Sequence, residues 1–414
     1  MDKRVILAVA GAGKTYYICQ HIDRKKRNLI LAYTNENVEN IKKELKSIHG
    51  NIPSSTTILT FHSFVYRHFI LPYELSIAYH FDRASFISRG LTTLEPPSKT
   101  LKESKNEDNY TSSFKDQELT LTSGLDPNEL EAESKPKNTF KTNPRYKTKD
   151  KLEHYTTKQN KYYCSSISEL ALSIKRNKNL GTNKLTKRAI DRLKMFFDEI
   201  FVDEFQDFRK HDHNLLMELA HYFPKICLVG DFYQHSVVAD NNSGPPFDKL
   251  DYKEFSQYLS KKGLYVDTET LLKSRRCAPE ICAFVRNKLN ISIYPEENKP
   301  GKIIWVDGSN IKEILENDDI LKLVYNNSSK YSFHAMNWSY SKGSTAKEVC
   351  VILTNDLEDL DSDTFAIHDN KGITRNRLYV ALTRSSGNLY LIKSSLISNK
   401  DQPSLFSDKE NKMF

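Results

Sequence analysis

Apolar residues in this chain fall into short runs bounded by turn residues, and the runs alternate with stretches of helical spacing. Val5 to Ala10 is a continuous apolar run of the kind that forms a buried strand, and a helix is expected from about Lys14 to Arg24. Asn28–Tyr33 reads as a second strand. Val38, Ile41 and Leu45 then place one apolar face on a helix from about Asn37 to Ile48, and a third strand begins at Ile58–Thr60. Further along, Ala189, Ile190, Leu193, Phe196 and Phe197 mark a helix face that leads into strands Ile200–Val202 and Lys225–Val229. The alternation resumes beyond Leu271. It predicts helix Pro279–Leu289, strands Lys302–Val306 and Val349–Leu353, helix Arg377–Thr383 and strand Asn388–Ile392. Strands alternating with helices imply parallel sheets covered on both faces, and two such blocks predict two α/β units.

Between the blocks the pattern stops. From about Leu91 to Lys161 the chain is Lys, Ser, Thr, Asn, Glu and Pro with few aliphatic residues, too little apolar surface to offset chain entropy. Its second part carries Lys135, Lys137, Lys141, Arg145, Lys147, Lys149, Lys151, Lys158 and Lys161 against Asp150 and Glu153. A solvated linker is the expectation. The alternative is a basic arm that neutralises phosphates, with Tyr146 and Tyr155 stacking on bases.

Composition narrows the classes. Hydrophobic residues are 38% of 414 positions, no apolar run approaches a membrane span, and no solenoid repeat is present. The apolar run after Lys3 and Arg4 is too short for a secretory signal. Six cysteines lie scattered without a CxxC pair, so neither a disulfide framework nor a Cys-rich metal cluster is indicated, and a cytoplasmic protein is expected. The net charge of +8 is compatible with a polyanionic partner.

The first run ends in Ala8-Val9-Ala10-Gly11-Ala12-Gly13-Lys14-Thr15, a glycine turn between a strand and a helix. That context is what a phosphate-binding loop requires. Backbone N–H groups from Ala10 to Thr15 would point at phosphate oxygens, aided by the helix N-terminus. Lys14 would reach the β- and γ-phosphates, and the Thr15 hydroxyl would ligate Mg²⁺. Ile200-Phe201-Val202-Asp203-Glu204 is an apolar strand ending in two carboxylates. Asp203 would hold the hydrated metal and Glu204 would orient or deprotonate a water.

Asp203-Glu204-Phe205-Gln206-Asp207 resembles the second motif of the UvrD/Rep/PcrA-like superfamily 1 DNA helicases, and other motifs follow in that family's order. Ala32-Tyr33-Thr34-Asn35 resembles its first DNA-contacting motif, and Thr60-Phe61-His62-Ser63-Phe64 its TFHSF. Val229-Gly230-Asp231-Phe232-Tyr233-Gln234 resembles VGDxxQ, Ser274-Arg275-Arg276 the fourth motif and Ser341-Lys342-Gly343 the fifth. Tyr379-Val380-Ala381-Leu382-Thr383-Arg384 resembles the sixth. The resemblance implies two RecA-like parallel-sheet domains with an ATP site in the cleft between them and a partly disordered insertion in the first. It implies that Gln234 senses the γ-phosphate, that Gln206 joins the catalytic network, and that Arg276 and Arg384 are arginine fingers. Thr34, Asn35, Phe61, His62, Asn337 and Lys342 would grip single-stranded or tailed DNA, whereas Phe64 is expected in the core. A metal-ligand reading of His62 finds no partner at ligand spacing.

The sequence departs from the family in places. Arg275 stands where the family stacks a tyrosine on adenine, and a guanidinium plane can stack as well. Thr345 replaces the glutamate of KGLEF, the residues before Ile6 hold no counterpart of the upstream glutamine motif, and His235-Ser236-Val237-Val238 replaces the DNA-stacking segment after Gln234. The short span from Arg276 to Lys342 resembles the compact helicase subunits of antiphage systems such as Gabija. The expected division is residues 1–71 and 191–270 for the first RecA-like domain, 72–190 for a helical insertion, 271–398 for the second domain and 399–414 for a flexible tail. In that tail Gln402-Pro403-Ser404-Leu405-Phe406 resembles a sliding-clamp docking peptide, with an ordinary terminal tail as the plainer reading. The function expected is an ATP-dependent, Mg²⁺-requiring DNA translocase or helicase, 3′→5′ by resemblance, in repair or antiphage defence. The alternative is a nucleotide-gated regulatory subunit of a partner nuclease. No nuclease constellation occurs in the sequence.

Overall fold

The computed structural model describes residues 3–94, 149–174, 185–237, 244–247, 249–363, 365 and 372–397. The chain forms two compact units. One comprises residues 1–58, 198–209 and 224–414, the other residues 59–197 and 210–223.

The first unit contains two large α/β sheets and a two-stranded parallel pair, Lys273–Ser274 with Tyr294–Pro295. The first has six strands in the order Thr56–Thr60, Asn28–Ala32, Glu199–Val202, Ile226–Gly230, Lys3–Leu7 and Tyr265–Asp267. Strand Lys3–Leu7 pairs in parallel with Ile226–Gly230, Val5 opposite Leu228, and Asn28–Ala32 pairs in parallel with Glu199–Val202. Every residue of Asn28–Ala32 and of Ile226–Gly230 is buried, which explains why these strands read as unbroken apolar runs. The second sheet has five strands in the order Ile303–Trp305, Leu389–Ile392, Glu348–Ile352, Ile320–Val324 and Ala335–Asn337, all neighbours parallel. One apolar cluster links the sheets, running from Ile6, Ile18 and Val229 through Leu271 and Ala278 to Val349, Leu378 and Leu391.

The fold class is as the sequence implies, mixed α/β with parallel, RecA-like sheets. Some elements differ from the pattern. Helix Pro279–Leu289 has the expected bounds, with Pro279 in its first turn and Asn290 in the left-handed conformation after its end. Strand Ile320–Val324 was not legible because Lys322 interrupts its apolar run. That side chain is buried, its ammonium bonding the Asn317 carbonyl. The strand thought to begin at Ile58 instead ends at Thr60, whose hydroxyl caps the helix Phe61–Val65 by accepting from the Ser63 N–H.

The second unit is mainly helical, with helices Phe61–Val65, Glu74–His80, Cys164–Ser173, Leu185–Leu193 and Lys210–Tyr222. The expected linker from about Leu91 to Lys161 was drawn too wide at both ends. Leu91–Thr92 pairs in parallel with Tyr162–Tyr163, and Leu152–His154 forms a helical turn. Leu152, Tyr155 and Tyr162 are buried there, so apolar residues spaced too widely to form a run still supply a core. Tyr155, expected on a base-stacking arm, is 1% exposed. Tyr146 and residues 95–148, with the clamp-like Gln402–Phe406, lie outside the described residues. Among the described residues no helix is long and apolar enough to cross a membrane.

Candidate active site

The glycine turn is shaped by backbone geometry before any side chain contributes. Gly11 and Gly13 lie at φ 71° and 79°, left-handed conformations that side-chain-bearing residues seldom adopt. A Cβ on Gly11 would also fall 2.6 Å from the Arg276 Cβ, so the fourth motif packs directly on the turn. The turn is pinned from both sides. Ala8 N–H donates to Gly230, Val9 N–H to Leu271, and Arg275 N–H to the Gly11 carbonyl at 2.9 Å.

Lys14 opens the following helix and is 9% exposed, its ammonium 3.2 Å from Glu204 Oε1. Burial disfavours that charge, but Glu204, Asp231 and Asp203 around it outweigh burial and raise the Lys14 pKa. The Thr15 hydroxyl donates to Asp203 Oδ2 at 2.7 Å, and Asp203 Oδ1 accepts from the Glu204 N–H. Burial and then the neighbouring Glu204 charge push the Asp203 carboxyl up to about 6. Glu204 itself sits in the left-handed region at φ 52° as the chain turns off the strand. Burial opposes its ionisation, yet Lys14 and then Lys342 hold its carboxyl down at about 2.

Gln206 is fully buried and ties two motifs together: its amide N–H donates to Glu204, and its Oε1 accepts from the Asp231 N–H at 2.9 Å. Gln234, 4% exposed, follows on the turn whose N–H donates to the Asp231 carbonyl.

Two guanidinium groups reach this region, Arg276 just after strand Lys273–Ser274 and Arg384 ahead of the second sheet's strand Leu389–Ile392. Arg276 donates through Nη1 to the Thr383 carbonyl at 3.0 Å. Arg384 is 1% exposed and donates to the carbonyls of Val380, Ser341 and Ser344. Among the described residues neither has a carboxylate within ion-pair distance. Burial lowers both pKa values, and the added proximity of Arg276 takes that of Arg384 down to about 9. A buried and a half-buried cation near acids with which they form no ion pair leave room for an anion.

Two site residues carry roles that motif order did not reveal. Tyr379 is fully buried; its hydroxyl accepts from the Ala10 N–H at 2.7 Å and donates to Asp231 Oδ2 at 3.0 Å. It therefore joins the glycine turn, the VGDxxQ segment and the sixth motif through one oxygen. Burial pushes the Asp231 carboxyl up to about 6. Tyr16, next to Thr15, packs its ring against the Arg275 guanidinium, 4.7 Å from centroid to carbon. Only the aromatic character of these positions could have pointed to them.

Two of the expected nucleic-acid contacts are engaged within the protein in this structure. Phe61 is fully buried, its ring tilted against Phe64 at 6.2 Å, because helix Phe61–Val65 turns it into the core of the second unit. Its faces are not available to a base. Lys342 forms an ion pair with Asp207 and lies 4.0 Å from Glu204 Oε2, so its ammonium belongs to the acidic cluster. Thr34 and Asn35 are exposed at the start of helix Asn35–His49, where the Thr34 hydroxyl accepts from the Asn37 N–H. His62, in the second unit, lies 3.6 Å from Asp212. Asn337 is half-buried and accepts from the Ser328 N–H.

A divalent cation fits this donor set. Asp203 is a buried carboxylate kept from easy ionisation, beside a hydroxyl, and among the described residues no larger His, Cys, Asp and Glu cluster is present. One carboxylate and one hydroxyl are the protein's usual share when substrate phosphates and waters complete a Mg²⁺ shell.

Parallel sheets, a glycine turn between strand and helix, and an acid pair at the end of a strand one removed in the same sheet define a P-loop NTPase. Residues 2–235 match the family described as UvrD/REP helicase N-terminal domain. The chain belongs to that family of UvrD-like superfamily 1 helicases. Among solved structures it is similar to the arterivirus nonstructural protein 10 helicase, at 11% identity and TM-score 0.40 over 94% of this chain and 59% of that one. It is likewise similar to a complex of arterivirus nonstructural protein 10 with DNA, at 11% identity and TM-score 0.39 over 94% of this chain and 61% of that one. The third is the PRRSV helicase, at 11% identity and TM-score 0.40, covering 97% of this chain and 55% of that one. The chain thus spans about 59% of the length of the first of these helicases. No curated protein matches it.

Proposed function

We propose that this chain is an ATP-dependent DNA translocase or helicase whose hydrolysis is driven by closure of two RecA-like lobes on one triphosphate. The observation that carries the reading is the convergence of Lys14, Glu204 and Gln206 at the first sheet with Arg276, after strand Lys273–Ser274, and Arg384, ahead of the second sheet's strand Leu389–Ile392; among the described residues neither guanidinium has a carboxylate partner. In this reading Lys14 exchanges Glu204 for β- and γ-phosphate oxygens. That exchange removes the nearer of the two cations that suppress Glu204 as a base, leaving it to orient and deprotonate a water. Gln206 holds the Glu204 carboxylate in place, and Gln234 lies one turn beyond Asp231 to sense the γ-phosphate. Arg276 and Arg384 stabilise the charge that spreads over the transferring phosphoryl oxygens, where one guanidinium is worth about 10³–10⁵ in rate. A divalent cation held by Thr15 and Asp203 would supply charge neutralisation at the phosphates. Arg275, stacked on Tyr16, supplies a plane near the nucleotide.

Thr34, Asn35, His62 and Asn337 remain the proposed contacts to single-stranded or tailed DNA, with 3′→5′ travel and a place in repair or antiphage defence following the family resemblance. A second reading, a nucleotide-gated ATPase subunit controlling a partner nuclease, is favoured by the burial of Phe61 and the pairing of Lys342 with Asp207, both proposed strand grips. The sliding clamp is a further proposed partner through Gln402–Phe406. Hydrolysis with and without single-stranded DNA, followed by unwinding of a tailed duplex, separates the readings. The motor requires stimulation together with strand separation. Hydrolysis that DNA leaves unchanged supports the regulatory subunit, and no hydrolysis defeats both.

A further inference from the structure

Two thiols that the proposed chemistry does not use meet at the start of helix Pro279–Leu289. Cys277 precedes the cap residue Ala278, and Cys282 lies one turn into the helix, its N–H bonded to the Ala278 carbonyl at 3.0 Å. Side chains in those two positions face each other across a helix start. The Cys282 sulfur lies 3.8 Å from the Cys277 carbonyl oxygen, and its thiol hydrogen is within reach of that oxygen and of the Cys277 sulfur. Both cysteines are free and buried.

Their surroundings make the two sulfurs unequal. The hydrogen bond from Cys282 does most to hold the Cys277 thiol down, burial opposes it, and the Ser274 hydroxyl with the Arg276 and Arg384 charges brings it to about 7. Cys282 is pushed upward by the same bond and then by burial. One sulfur is the nucleophile and its neighbour keeps the proton. The nucleophile is also tied to the site. Cys277 Sγ lies 3.7 Å from the Thr383 carbonyl, the same oxygen that accepts from Arg276 Nη1 at 3.0 Å, and Thr383 directly precedes Arg384.

We propose that Cys277 and Cys282 are an oxidation site for small peroxides, and that their disulfide draws the Cys277 sulfur off the Thr383 carbonyl and slows hydrolysis by unseating Arg276 and Arg384. The Cys277 thiolate attacks one oxygen of hydrogen peroxide, the O–O bond breaks, and the departing hydroxide takes a proton from solvent, leaving a sulfenic acid. Cys282 then bonds to the sulfenic sulfur and gives its proton to the hydroxide expelled. Two thiols and one peroxide become one disulfide and two waters, the peroxide taking up the two electrons the sulfurs lose. Burial confines the reaction to local openings of this segment and to the smallest oxidants.

The effect on turnover rests on the hydrolysis reading; the disulfide does not. The test treats the full chain with hydrogen peroxide, maps disulfides by mass spectrometry of unreduced peptides, and measures kcat for ATP with single-stranded DNA before and after dithiothreitol. In wild type the Cys277–Cys282 disulfide forms, kcat falls at least about tenfold and dithiothreitol restores it. In Cys277→Ala peroxide changes kcat by less than about twofold relative to the same untreated variant. An active wild type that keeps both thiols at a peroxide dose oxidising the half-buried Cys164 overturns the site and leaves the hydrolysis reading standing. A disulfide with unchanged kcat, or a loss that persists in Cys277→Ala, overturns the control of turnover. No hydrolysis by the reduced wild type overturns the functional reading and the control with it, and the peptide map alone then decides the disulfide.

Discussion

Removal of one hydroxyl, Tyr379→Phe, isolates the link between the glycine turn and the second sheet. The hydroxyl is fully buried, accepts from Ala10 and donates to Asp231, so the variant leaves two polar groups unmatched without changing the ring's volume. An unpaired buried N–H costs about 1–3 kcal/mol, and a lost bond to a carboxylate about 1.5–3 kcal/mol. The two losses share one oxygen and are not additive, so a destabilisation of about 2–4 kcal/mol at pH 8 is expected. At pH 8 Asp231, whose carboxyl burial holds at about 6, is an anion and loses its donor in full; below pH 6 it takes up a proton and the cost falls. Nucleotide changes the balance. If the Ala10 N–H turns to a phosphate oxygen, the variant recovers about 1–2 kcal/mol on binding, and a non-hydrolysable triphosphate binds it about 5–30-fold more tightly than wild type. Urea unfolding with and without that nucleotide, together with direct binding titration, reads both quantities. A variant as stable as wild type to within about 0.5 kcal/mol, or one with unchanged nucleotide affinity, refutes the reasoning.

Other substitutions test separate parts of the site. Glu204→Gln abolishes turnover while leaving nucleotide binding intact, and Lys14→Ala abolishes turnover and weakens binding, as single-turnover hydrolysis and fluorescent-nucleotide titration would report. Lys342→Met strands Asp207, which is 5% exposed, and costs up to about 3 kcal/mol, the lower end for a buried pair because Lys342 is 15% exposed. Adding Asp207→Asn restores most of that stability in a double-mutant cycle by denaturant unfolding, and a purely additive cycle refutes the pair. In the second unit, burial and the charges of Arg192 and Arg67 hold the His68 imidazole down at about 4. The folded state binds fewer protons than the unfolded between about pH 6.5 and 4, so stability is lost as pH falls through that window. The ideal loss over 2.5 units is about 3.4 kcal/mol, reduced to about 2 kcal/mol by partial exposure. Limited proteolysis of residues in the second unit should track this fall, and His68→Phe should flatten it.

The strands of the first sheet could be read from sequence because both faces of a parallel sheet are covered, so Ile226–Gly230 and Asn28–Ala32 are apolar at every step or nearly so. The glycine turn was legible because a strand, two glycines and a helix occur in one order that backbone geometry demands. Side-chain destinations across the chain were not. Lys342 stands in a motif associated with nucleic acid, yet a lysine has enough reach to meet Asp207, and only tertiary placement tells which anion it meets. Phe61 stands within a motif associated with nucleic acid, but in helix Phe61–Val65, capped by Thr60, it is buried. Tyr379 was passed over because its partners, Ala10 and Asp231, are distant in sequence. Lys322 concealed a strand, since a buried lysine satisfied by a carbonyl breaks the apolar pattern without breaking the sheet. The ends of the polar stretch were misjudged because composition averages over windows, whereas Leu152, Tyr155 and Tyr162 are enough to fix short segments into a core.

The central claim is that a cation from the second sheet completes chemistry begun on the first. The most direct measurement is the hydrolysis rate of Arg384→Ala with saturating nucleotide and single-stranded DNA, alongside nucleotide affinity. The account predicts a fall of at least about 10³ in kcat with affinity changed by less than about tenfold. Hydrolysis at close to the wild-type rate, in a variant that folds and binds nucleotide, would contradict it.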